Sequence, residues 1–150
     1  MESVMACESI EHDFALATGC YARLEPAGTE RYRVFTPFMF NDDDHFTIVL
    51  KREGDGWVLS DEGHTIMHLS YKIDEEMIRS GARHEVMSSI LKAFGLQDRD
   101  GELVLPIEDQ LYSDAICRFV QALTRVSDIA YLSWERVLSA FREDSRACIA

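Results

Sequence analysis

GWVLSDEGHTIMHL, residues 56–69, changes its hydrophobic period partway along, and the fold turns on where that change falls. Trp57-Val58-Leu59 reads as the end of a β-strand, whereas Ile66, Leu69 and Ile73 recur at the three-to-four spacing of a short helix. The residues between them, Ser60-Asp61-Glu62-Gly63-His64-Thr65, have two readings. As a turn, Asp61 accepts backbone N–H groups, Gly63 supplies a positive φ and Thr65 caps a helix that begins at Ile66. As a site, Asp61 and Glu62, joined by Asp44, would hold Mg2+ or Mn2+ through hard carboxylate oxygens. Strand-to-helix turns use these residue types routinely, so the turn is the preferred reading of Asp61, Glu62, Gly63 and Thr65.

Working outward, His45–Lys51 is rich in β-branched and aromatic residues, and Glu53-Gly54-Asp55-Gly56 joins it to Trp57–Ser60 as a hairpin. A second hairpin is expected from Cys20–Leu24 and Arg31–Phe35 around Pro26-Ala27-Gly28-Thr29, closed by Thr36-Pro37-Phe38. At the N-terminal side, Val4, Cys7, Ile10, Phe14 and Ala17 line an amphipathic helix over about residues 2–18, with Gly19 as its stop. Past Ser80 a helix carries Val86, Ile90, Leu91 and Phe94 inward and stops at Gly95. Glu102–Leu105 then forms a short strand ended by Pro106.

The last third is the most regularly patterned. Ile116, Phe119, Val120, Leu123, Val126, Ala130, Trp134, Val137, Leu138 and Phe141 keep helical spacing, with a break at Ser127-Asp128. These are the C-terminal helices, about 109–143. The whole predicts one α+β domain over 1–150, an antiparallel sheet of about four to five strands with helices packed on one face.

A chain of 150 residues, 47% hydrophobic and 28% charged, buries a core without staples. The opening MESVMACESIEHDF is acidic where a signal peptide would be basic and then apolar, and no apolar run is long enough to span a bilayer. A cytoplasmic protein with no membrane association is expected. Cys7, Cys20, Cys117 and Cys148 form no CxxC pair and read as buried small hydrophobes or tail residues.

The net charge of −12 is the strongest compositional signal. With the blocks Asp42-Asp43-Asp44 and Asp74-Glu75-Glu76 it repels phosphate backbones, which argues against non-specific nucleic-acid binding and for a basic protein partner. Solubility alone is the simpler account of the same charge.

Other chemistries find less support. A restriction-type nuclease centre would use Asp44 and Lys51, yet the position two before Lys51 is Val49, one carboxylate short. His64 and His68 share a helix face as zinc ligands do, but Thr65 follows the first His where a metalloprotease carries Glu. With no third ligand fixed, they read as surface or helix-end residues. There is no G-x-S-x-G, no phosphate-binding loop and no dinucleotide fingerprint, so no catalytic residue and no cofactor is assigned. Tyr131, Trp134 and Phe141 do not all fit one helix face and are candidates for an association surface, a wide core face being the simpler alternative.

Several of these stretches are familiar together. Thr36-Pro37-Phe38, Asp44 before an apolar strand, Gly56–Thr65, Phe94-Gly95-Leu96, Asp100-Gly101-Glu102-Leu103 and Val126-Ser127-Asp128 occur in that order. The series, over about residues 32–130, resembles a bacterial and prophage family catalogued as a domain of unknown function, number eighteen twenty-eight. Ser60 and Glu62 stand where that family's pattern has Thr and Asp. The resemblance implies a phage or mobile-element setting and no established activity. The expected function is a small acidic, non-enzymatic interaction protein, an inhibitor or regulator of a host or defence protein with a basic surface. A divalent-metal enzyme acting on nucleic acid or nucleotide through the Asp/Glu loop is the alternative. A homodimer assembled through the C-terminal helices is a third reading.

Overall fold

Gly54 adopts φ +61° and turns the chain between β3 (Val49–Glu53) and β4 (Gly56–Ser60), the tight hairpin that Gly-Asp-Gly encodes. The computed structural model describes residues 10–13, 22–39 and 45–131. The earlier hairpin is also present, with β1 (Arg23–Pro26) antiparallel to β2 (Arg31–Phe35). These four strands form a meander, and the sheet order is β1-β2-β3-β4-β6-β5, antiparallel throughout.

Six strands exceed the four or five that the sequence suggests. The added strand is β5 (Gln97–Arg99), three exposed residues with no apolar alternation to announce them. It exists because it pairs with β6 (Glu102–Ile107) across the Asp100-Gly101 turn. Strand β6 also runs through Pro106 instead of ending there. Strand β5 pairs only with Glu102–Val104, so the missing Pro106 N–H faces an edge that β5 has already left.

Four helices and a 3-10 turn follow the meander among the described residues: α1 (His64–Ser70), α2 (Glu75–Ile78), α3 (Gly81–Phe94), α4 (Tyr112–Ser127) and Asp128–Tyr131. Helix α4 buries Ala115, Phe119, Val120, Ala122, Leu123 and Val126, the stripe its spacing dictates. Fully burying a side chain such as Phe119 or Leu123 contributes about 1.5–3 kcal/mol. The break at Ser127-Asp128 is where the α-helix gives way to the 3-10 turn.

Helix α3 departs from expectation in its facing. Val86 is exposed, and the buried stripe is Arg83, Met87 and Leu91, with Ile90 and Phe94 partly buried beside it. A four-residue repeat shifted by one position gives α3 a narrow inner stripe. It ends as foreseen at Gly95, φ +77°, where the Leu96 N–H reaches the Leu91 carbonyl at 2.8 Å.

Register sorts the sheet into two faces. Val34, Leu50, Leu59, Leu103 and Leu105 join the helices in one core cluster. Val49, Val58, Ser60 and Val104 lie on the opposite face and are also buried. Among the described residues the helices pack against β4, β5 and β6, and none reaches that extent of contact with β1 or β2. Most of the expected N-terminal helix, Asp42-Asp43-Asp44, Trp134 and Phe141 lie outside the described residues.

Candidate functional site

The Asp61 carboxylate is fully buried where β4 ends. Its Oδ1 accepts the Leu103 N–H at 2.8 Å and the Gly63 N–H at 2.9 Å, and its Oδ2 accepts the Thr65 N–H at 3.2 Å. The Asp61 N–H meanwhile donates to the Leu103 carbonyl, and its own carbonyl accepts the His64 N–H. Three backbone N–H groups thus occupy three of the roughly four acceptor positions a carboxylate offers. Asp61 is thereby turned toward the chain's own backbone donors.

This is the turn, with one change of role. Helix α1 starts at His64, so Thr65 lies inside its first turn and Asp61 caps that turn from a distance. Gly63 takes φ +79° as expected, and Glu62 before it takes φ +51°, an uncommon angle for a residue with a side chain. Burial pushes the Asp61 carboxyl above its ordinary value of 3.8, and the bonds from Leu103, Gly63 and Thr65 oppose that shift.

Glu62 turns outward and pairs with Arg31 of β2, whose Nε and Nη2 reach Oε1 at 3.0 and 2.6 Å. Behind it, the Ser60 hydroxyl accepts the Glu62 N–H and donates to Glu102 Oε1 at 2.5 Å. Lys51 Nζ donates to that same oxygen at 2.6 Å. Lys51 and then Ser60 hold the Glu102 carboxyl below its ordinary value of 4.5. Sequence reasoning did not single out Ser60, Glu102 or Arg31 as partners. The one available signal was the recurrence of Leu-Ser-Asp-Glu-Gly and Asp-Gly-Glu-Leu in a single chain. The fold ties these two stretches together through Asp61–Leu103 and Ser60–Glu102.

The remaining candidates scatter. The exposed Asp74 and Glu76 flank the start of α2, away from the turn in sequence. Tyr131 is exposed, with Lys72 Nζ 5.4 Å from its ring centre. His64 and His68 sit at the start and in the last turn of α1, helix-end positions as expected, their rings tilted with 6.2 Å between centres, and His68 is buried. Cys117, expected to be buried, is an exposed thiol outside any disulfide. Among the described residues, no three of His, Cys, Asp and Glu are grouped to hold a metal. No helix there is long and apolar enough to cross a membrane.

Among the described residues, pockets open beside the sheet. One, of about 220 Å3, lies between Gly63 and Gly101, with Met67 and Arg79 on its walls. Another, of about 290 Å3, opens where β5 stops alongside β6. Leu105, Pro106 and Leu111 line it together with Glu108, Asp109 and Asp114. Acids dominate the surface more widely. Apart from Glu75, of whose side chain nothing is described, every described Asp and Glu except Asp61 and Glu102 is exposed. Arg31, Lys51, Arg52, Arg99 and Arg118 are each engaged in an ion pair.

Fold and junction together define an α+β protein whose antiparallel sheet is locked to helix α1 by one buried carboxylate. The chain belongs to the family described as Domain of unknown function DUF1828, whose model matches residues 36–126. No curated protein and no solved structure matches it significantly.

Proposed function

We propose that this is a small cytoplasmic binding protein of phage or mobile-element type. It inhibits or regulates a host or defence protein by covering a basic surface. The observation that carries the reading is the outward-facing acid excess in a chain of net charge −12, whose sheet cations are largely occupied by ion pairs. A field of that sign speeds encounter with a cationic partner and repels polyanions. The metal-enzyme alternative would draw on Asp61, whose carboxylate already accepts three backbone N–H groups, and this supports the binding reading over it. The acids at the 290 Å3 pocket, Glu108 and Asp109, and the exposed Asp74 and Glu76 are the contact residues we favour.

The test is partner capture from bacterial lysate with wild-type protein, Glu108→Lys/Asp109→Lys and Asp74→Lys/Glu76→Lys, each at low and high salt. A partner retained by wild type at low salt and lost with charge reversal or added salt is the expected result. A partner indifferent to both changes overturns the reading. Asp61 is unsuitable as a probe of binding, because its loss opens the turn itself.

A further inference from the structure

The outer edge of β1 is complementary to itself. Among the described residues no strand pairs with it on that side, and all four of its residues are exposed. The Ala27 N–H donates to the Arg31 carbonyl, so odd-numbered residues of β1 bond inward to β2. Leu24 therefore turns its N–H and C=O outward. So does Pro26, which offers a carbonyl there and has no N–H to lose. Leu24 stands opposite Val34 of the core and is itself 51% exposed. Arg23 and Glu25 flank it on the other face of the strand, and Arg23 rests over the Phe35 ring at 5.1 Å.

We propose that a second copy of this chain pairs with that edge, antiparallel, in a register centred on Leu24. In that register Leu24 meets Leu24 across a two-fold axis, exchanging two N–H···O=C bonds and continuing the apolar row from Val34. Arg23 then stands opposite Glu25 of the other copy, twice, by symmetry. On that face the charges alternate as Arg33, Glu25, Arg23 across the junction, because Arg33 is the in-chain partner of Glu25. A register moved by one residue would place opposite faces together, and one moved by two would break the Arg–Glu matching. The described helices pack over β4, β5 and β6, at the far end of the sheet, so they do not crowd this edge. One short strand per copy falls below the roughly 1,000 Å2 typical of a stable complex, so the dimer exchanges with monomer as concentration changes.

The test is sedimentation equilibrium of the full chain over a micromolar-to-millimolar range. Wild type should move from monomer toward dimer mass, less so in high salt. Leu24→Lys and Leu24→Glu should each stay monomeric, since each opposes like charges at the axis. Their equimolar mixture should dimerise, because only this two-fold register brings residue 24 against residue 24. Circular dichroism of each variant confirms that it is folded. Wild type monomeric throughout, Leu24→Lys associating like wild type, or a mixture that stays monomeric each overturns the proposal.

Discussion

The Asp61 side chain takes the place, opposite Leu103, that a backbone carbonyl would hold if β4 ran one residue further. Its N–H still donates to Leu103, but the bond returning from the Leu103 N–H goes to Oδ1 at 2.8 Å. The displaced carbonyl is free to accept the His64 N–H and start α1. One residue thus ends a strand, closes a turn and opens a helix with no buried donor left unmet among these contacts.

Asp61→Asn should therefore cost about 3 kcal/mol at neutral pH. The amide keeps one acceptor but points a donor at backbone N–H groups, each worth roughly 1–3 kcal/mol when buried without a partner. Urea unfolding followed by circular dichroism measures it. A loss below about 0.5 kcal/mol would show that the turn holds without this carboxylate.

Glu62 provides the contrast, since its pair with Arg31 is about one-third exposed at both ends. Glu62→Gln should change stability by less than about 1 kcal/mol, the ordinary range for a surface pair. If Glu62→Gln proved as damaging as Asp61→Asn, the division of roles within this turn would be wrong.

The acid limb of the stability profile should report Glu102. Its folded value lies below 4.5, so between that value and 4.5 the unfolded chain binds more protons and stability rises with pH. That gain is present above 4.5 and disappears as pH falls through the lowered folded value. Glu102→Gln should flatten this limb in unfolding free energy measured from pH 3 to 7 (on the order of the ordinary carboxylate range). Asp61 has the opposite sign: its raised value gives a contribution present below 3.8 and lost as pH rises through the folded value. An unchanged acid limb in Glu102→Gln would remove Lys51 and Ser60 as the cause.

Two glycines should separate backbone strain from crowding. Gly63 and Gly95 have nearly the same φ, +79° and +77°. A Cβ at Gly63 meets nothing nearer than the Gly101 carbonyl at 3.8 Å, whereas at Gly95 it would lie 2.9 Å from Arg118 Nη2. That guanidinium donates to the Phe94 carbonyl at 2.9 Å at the end of α3. Gly63→Ala should cost about 1 kcal/mol from left-handed backbone alone, and Gly95→Ala roughly 1 kcal/mol more through the displaced cap. Thermal melts rank them, and equal losses would mean that Arg118 moves aside freely.

Much of the architecture is written in short-range pattern. The β3–β4 hairpin, the β1–β2 hairpin, the inner stripe of α4 and the stop at Gly95 each depend on residues within a few positions of one another. Alternation, helical spacing and glycine at positive φ are local properties, and the local chain carries them. The acidity that motivates a basic partner is likewise a property of composition.

What needed the folded chain was every relation between distant segments. Strand β5 has no pattern of its own and forms because β6 offers it a ladder. Pro106 sits inside a strand because its neighbour ends two residues short of it. Thr65, a plausible cap by type, yields that role to Asp61, and Asp61 is held in turn by Leu103, forty-two positions away. A carboxylate's chemistry depends on who fills its acceptor positions, and a buried donor comes from whichever segment the fold brings near. The sequence alone therefore determined which residues could turn, cap or pair, and tertiary contact decided that Asp61 is buried among backbone donors while most of the other described acids face solvent.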